Sequence, residues 1–167
     1  NTPIDESIER MNADLGFYAQ DAWTMNRLTL NLGARYDYFN AEVPALSAPA
    51  SQWVAARDRP AVENVPNWHD WAVRLAAAYD LFGTGRTAVK ATLSRYVMAD
   101  ATRMANLMNP INTSVTSTPA TWNDLNSDCI PQAHELGPLS NVNFGKGVPR
   151  TTFSPDVLSG WGVRSSN

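Results

Sequence analysis

The sequence is short of charge: Asp, Glu, Lys and Arg make up 17% of its 167 residues, against about 25% in an average soluble domain. It has a single cysteine, Cys129, which excludes an internal disulfide framework and any metal site built from thiolates. Nowhere does it reach the run of about 18 apolar residues that a transmembrane helix needs. That absence leaves open membrane strands, which are short and alternating. With a net charge of −3 and no basic stripe, a nucleic-acid partner is not expected. The opening "NTPIDESIER" lacks an initiator Met and a signal peptide, so the chain reads as a piece of something longer.

What is present is alternation. In "LTLNLGARYDYF" every second residue from Leu28 to Tyr38 is apolar, and Thr29, Asn31, Gly33, Arg35 and Asp37 lie between. Period two means a strand with two unlike faces. "LGFYAQDAW" alternates less cleanly, and "TMNR" joins it tightly to the strand that follows, which predicts a hairpin. "WAVRLAAAYDLF" and "TAVKATLSRYV" flank the Gly-rich "GTGR", which predicts a second. The expected strands are residues 15–23, 28–39, 71–82 and 87–98. They are preceded by an extracellular loop or strand lead-in over 1–14, separated by a long loop over 40–70, and followed by a long extracellular loop region over 99–167. The loops hold most of the eleven prolines.

Alternation alone does not say whether lipid or protein covers the apolar face. Strands of about nine to twelve residues suit a tilted bilayer crossing better than a soluble sheet, whose strands average about five or six. Connections run short, long, short, long, the asymmetry of outer-membrane barrels with tight periplasmic turns and large outside loops. Trp23, Tyr36, Tyr38, Trp71 and Tyr79 collect near strand ends, as an interfacial girdle requires. The expected fold is therefore an all-β, antiparallel transmembrane β-barrel fragment of about four strands with long irregular extracellular loops. Leu28, Leu30 and Leu32 would meet outer-membrane lipid. Tyr18, Gln20, Arg35, Arg74, Asp80 and Lys90 would face a wet lumen, where charges need no special partner, whereas a dry core would penalise them. Arg95 falls on the apolar side near a strand end, where a headgroup can accommodate it.

These segments carry a family likeness. "GFYAQDAWTMNRLTLNLGARYDYFN" resembles a recurrent hairpin of TonB-dependent outer-membrane receptors, and "WHDWAVRLAAAYDLFGTGRTAVKATLSRYV" looks like the hairpin after it. "NPINTSVTST", "TWNDLNSD" and "LSGWGVRSSN" resemble the following extracellular loop in receptors with a carboxypeptidase-regulatory-like N-terminal domain. The chain departs from the pattern at Ala72 and Val73, where the family has Ser-Pro. It departs again at Asn64, Asn67 and Ala133, near which relatives carry loop cysteines. The resemblance implies energised uptake of a bulky nutrient (siderophore, oligosaccharide or peptide) in a Gram-negative outer membrane. It also implies partners beyond this sequence: a plug domain, further strands towards about twenty-two, and the TonB complex acting through the plug. Four strands cannot close by themselves. The alternative from another class is a secreted, Trp-rich β-sandwich that binds glycans.

Chemistry-bearing motifs are few. "DLNSDCIPQAHE" sets Asp124, Asn126 and Asp128 at the D-x-N-x-D spacing of a Ca²⁺ loop, with Glu135 at the twelfth position. Against it, Cys129 replaces the sixth-position Gly, Pro131 follows and no amphipathic helices flank the loop. Apart from that ion no cofactor is expected. His69, His134 and Asp70 have neither a nucleophile elbow nor a phosphate loop beside them, so no catalysis is expected. Cys129 reads as an inert loop thiol. Trp53, Trp68, Trp122 and Trp161 could contact a ligand, but the plainer reading is that they pack the loops together.

Overall fold

A computed structural model of the chain describes residues 6–148, 152–160 and 164–166. Its body is one antiparallel sheet. Strands β1 (Arg10–Met25) and β2 (Leu28–Glu42) form the first hairpin. A small hairpin follows, β3 (Leu46–Ala48) with β4 (Arg57–Arg59), and then β5 (Asn67–Asp80) and β6 (Ala88–Ser94) form the second long hairpin. The sheet order is β1-β2-β5-β6. At the first turn Met25 pairs with Leu28, and Asn26 takes the left-handed conformation (φ 50°), which its short polar side chain tolerates. At the second, Gly83 has φ 71° and lies so close to Arg27 that a Cβ would come within 2.8 Å of the guanidinium. The positive φ favours glycine there, and its bare Cα leaves room for the Arg27 side chain.

The register sorts the residues into two faces. Leu15–Tyr38–His69, Phe17–Tyr36–Trp71, Ala19–Ala34–Val73 and Trp23–Leu30–Ala77–Ala91 are cross-strand rows of one face. Asp14–Phe39–Trp68, Tyr18–Arg35–Ala72 and Gln20–Gly33–Arg74–Ser94 are rows of the other. Among the described residues no protein layer covers the apolar face: Phe17 is 65% exposed, Trp71 50%, Val89 56% and Leu93 62%. A soluble sandwich would bury this face under a second sheet, and none lies on it among the described residues.

The protein core sits instead at the loop end of the opposite face. Phe39 and Ala41 from the end of β2 and Val43 just past it join Val65, Trp68, Met104 and Ala105 in one buried cluster. Met104 and Ala105 belong to helix α1 (Arg103–Met108), where Ala, Leu and Met favour helix. Helix α2 (Pro155–Ser159) leans on the same cluster through Val157 and Leu158, and the Trp68 indole N–H donates to the Val157 carbonyl at 2.7 Å.

Strand bounds differ from the sequence expectation mostly where the alternation turns polar, although β5 also stops at Asp80, short of the expected residue 82, where the Gly-rich turn begins. β1 starts at Arg10 rather than residue 15, with a bulge between Met11 and Ala13. Part of the expected 1–14 lead-in is thus strand. β2 runs to Glu42 and β5 begins at Asn67, which shortens the expected 40–70 loop. There the Asn40 amide donates to Asn64 Oδ1 at 2.9 Å and receives the Asn12 amide at 3.0 Å, so polar side chains interlock where apolar ones stop. The fourth strand, expected over 87–98, breaks after Ser94. Arg95 keeps one ladder bond, its N–H to the Val73 carbonyl at 2.8 Å. β7 (Tyr96–Val97) then leaves β5 and pairs with β10 (Ser165–Ser166). Between them, β8 (Ala120–Trp122) pairs with β9 (Leu136–Leu139) across a loop closed by a 3₁₀ turn at Ala133–Glu135.

Candidate functional site: the polar face and its loop cap

The six residues expected to line a lumen share the polar face but have unequal roles. Tyr18 is 74% exposed, and Tyr18, Gln20, Arg35 and Arg74 surround a shallow groove floored by Gly33, Ala34 and Ala72. Arg35 donates through Nε to both oxygens of Asp37, at 2.7 and 3.0 Å. Its guanidinium lies over Gly16, where a Cβ would come within 2.5 Å of Nη2. Arg74 lies over the Tyr96 ring, 5.0 Å from its centroid, a cation–π contact. Lys90 is exposed beside Ala78. Asp80 is held by its turn, with Oδ2 accepting from the Gly85 N–H at 2.8 Å.

Sequence reasoning missed the anchor of this face. Asp70 and Arg164 form a buried ion pair, with Nε and Nη2 at 2.9 and 2.8 Å from Oδ2. The guanidinium also lies 4.8 Å from the Trp68 ring and 5.5 Å from Phe39. The partners are 94 residues apart, so no local pattern could link them. The one signal was a carboxylate between two tryptophans, "WHDW". A second staple joins the lead-in to α1: Glu9 Oε1 accepts from the side-chain amides of Asn106 and Asn109 at 3.1 and 2.9 Å. Arg57 ties the two long loops together by donating to the Gly145 carbonyl at 2.6 Å.

The acidic loop is brought together in part. Carboxylate oxygens of Asp124, Asp128 and Glu135 lie within 4.8 Å of one another, without Asn126. Asn126 Oδ1 accepts from the Asp128 N–H at 3.0 Å while its side-chain amide donates to Asp128 Oδ2 at 2.9 Å. Asp124 Oδ2 accepts from the Cys129 N–H at 3.0 Å. Buried Glu135 accepts from the Trp122 indole at 3.2 Å and from the N–H groups of Leu125 and Gln132 at 3.1 and 3.3 Å. Burial pushes the Glu135 carboxyl up, but these donors outweigh it and hold it below the usual carboxylate range. Much of the cluster's acceptor capacity thus serves the loop's own donors.

The remaining candidates separate. His69 Nδ1 is 2.7 Å from the Tyr36 hydroxyl on the apolar face, while its neighbour Asp70 is bound to Arg164 on the other. His134 and Cys129 are exposed in the loop region. Trp68 is core, Trp122 is half-exposed and Trp53 is partly buried. Trp161 lies outside the described residues.

Three strands of 16, 15 and 14 residues and a shorter fourth of 7, apolar and uncovered on one face, polar and capped by loops on the other, define a wall of an outer-membrane β-barrel. The family model of the outer membrane beta barrel domain matches residues 2–161, and the chain belongs to that family. It is an outer-membrane protein, associated with the membrane. No curated protein and no solved structure matches it.

Proposed function

We propose that the chain forms part of the barrel of a TonB-dependent receptor that takes up a bulky nutrient. The observation that carries this reading is the inward-folded cap: loop segments pack on Phe39 and Trp68 at the loop end of the polar face, while Tyr18, Gln20, Arg35 and Arg74 stay open below it. In this reading the polar face lines the lumen opposite a plug, and the apolar face meets lipid. The cap forms the outer vestibule that a nutrient meets first. Both edges of the sheet, at β1 and β6, continue into further strands, because open edges are not tolerated in hydrocarbon. No side chain makes or breaks a covalent bond, and energy arrives from the TonB complex through the plug. The two hairpins, in the order found in such receptors, support the assignment.

Planar-bilayer conductance of the full protein, together with capture by a purified periplasmic TonB domain, tests this reading. A receptor gives a closed barrel and TonB capture. A steady open pore without capture identifies a passive porin.

A further inference from the structure

The polar face sorts its charges by height. Asp14, Asp37 and Asp70 occupy rows towards the loops, Asp14–Phe39–Trp68 and Gly16–Asp37–Asp70. Asp80 stands at the turn, where it accepts from the Gly85 N–H. Between those levels the described strands place Arg35, Arg74 and Lys90 on this face and no carboxylate, among neutral hydrogen-bonding side chains such as Tyr18, Gln20 and Asn31.

Pairing cancels the charge of Arg35 against Asp37 and of Arg164 against Asp70. Among the described residues Asp14, Arg74 and Lys90 form no ion pair. The unneutralised charge therefore changes sign down the wall, from Asp14 to Arg74 and Lys90. Arg74 marks the change. It borders a cavity of about 270 Å³ lined by Asp14 and residues 96–100, and the open groove of about 240 Å³ beside Tyr18 and Gln20. Its guanidinium rests on the Tyr96 ring, 5.0 Å from the centroid, which supports one face and leaves the N–H edges to a ligand. Those edges form a fork that fits a carboxylate or phosphate bidentately. Gly33 and Ala72 beside it leave room for one.

We propose that the nutrient passing this wall is an anion and that Arg74 binds its carboxylate or phosphate group, with Lys90 the next cation towards the turns. The proposal rests on the reading of the polar face as a transport lumen. Among bulky nutrients it selects the acidic ones, whether siderophore, oligosaccharide or peptide. A neutral oligosaccharide would find hydrogen bonds on this face but would leave the guanidinium unpaired.

Gln20 and Ser94 flank Arg74 in one row of the register. Cysteines placed singly at these positions, in the full protein with Cys129→Ser in outer-membrane vesicles, are treated with a negative (sulfonatoethyl) and a positive (trimethylammonium-ethyl) methanethiosulfonate. The ratio of the two rates, divided by that for a free thiol in the same buffer, reads the local potential. It should favour the negative reagent about fivefold or more, and fall by as much in Arg74→Gln. Tripolyphosphate should slow labelling by uncharged N-ethylmaleimide, maltotriose should not, and Arg74→Gln should lose that protection. A ratio near unity with Arg74 present means that a plug carboxylate already neutralises it, and overturns the proposal. So does a ratio that Arg74→Gln leaves unchanged, equal protection by the two solutes, or none by tripolyphosphate. Cysteines that react with none of the reagents would instead show a dry face and defeat the lumen reading itself.

Discussion

Arg164 meets Asp70 at 2.8 Å with side chains only 8% and 1% exposed, and this pair fastens the far end of the loop region to the sheet. A buried charge that loses its partner costs about 3–5 kcal/mol. Asp70→Ala should therefore release residues 164–166. Limited proteolysis would show new cleavage there with the four long strands still protected. Adding Arg164→Ala should recover part of the loss, since the orphaned charge is then gone.

The position of the core makes a second prediction. Trp68 is 3% exposed and Leu93 62%. Trp68→Ala should cost about 3–5 kcal/mol of cap stability, whereas Leu93→Ala leaves no cavity in the protein and should cost less, only the transfer of its lost methylenes into the detergent's apolar layer. Denaturant melts of the two variants in detergent would measure the difference. Equal costs would contradict a core confined to the loop end.

Glycine at position 16 leaves room for the Arg35 guanidinium. Arg35 crosses above it, so Gly16→Val should displace the guanidinium from Asp37 and leave the β1–β2 ladder intact. The nitrogen chemical shifts of the Arg35 side chain would report the broken contact.

Acid should open the β8–β9 hairpin. The Glu135 carboxyl is held below its ordinary value of about 4.3 by donors from Trp122, Leu125 and Gln132. A lowered carboxyl stabilises the fold above its unfolded pKa, and that stability is lost as pH falls through the folded one. Fluorescence of Trp122, taken as the difference from Trp122→Phe, should be flat down to about pH 4 and change below it. Glu135→Gln should abolish the transition.

Period two was legible because the apolar face meets no protein, so nothing in the fold had to override it. Leu28 to Tyr38 shows the pattern almost without interruption. The strand ends were illegible for the converse reason: Asn40, Asn67 and Arg10 continue the ladder through polar contacts between segments far apart in sequence. The cap was hidden too, because Met104 and Arg164 find partners on β2 and β5 that no local spacing marks. The D-x-N-x-D spacing suits oxygens converging on an ion, but the spacing cannot say that Asn126 and Asp128 bond each other.

The central claim, that one face of this sheet meets lipid and the other a wet lumen, is tested most directly on β2. Single cysteines from 28 to 35, in the full protein with Cys129→Ser in outer-membrane vesicles, are treated with a water-soluble maleimide. Labelling at 29, 31, 33 and 35 with protection at 28, 30, 32 and 34 is the predicted result. Equal reactivity at both parities would contradict it.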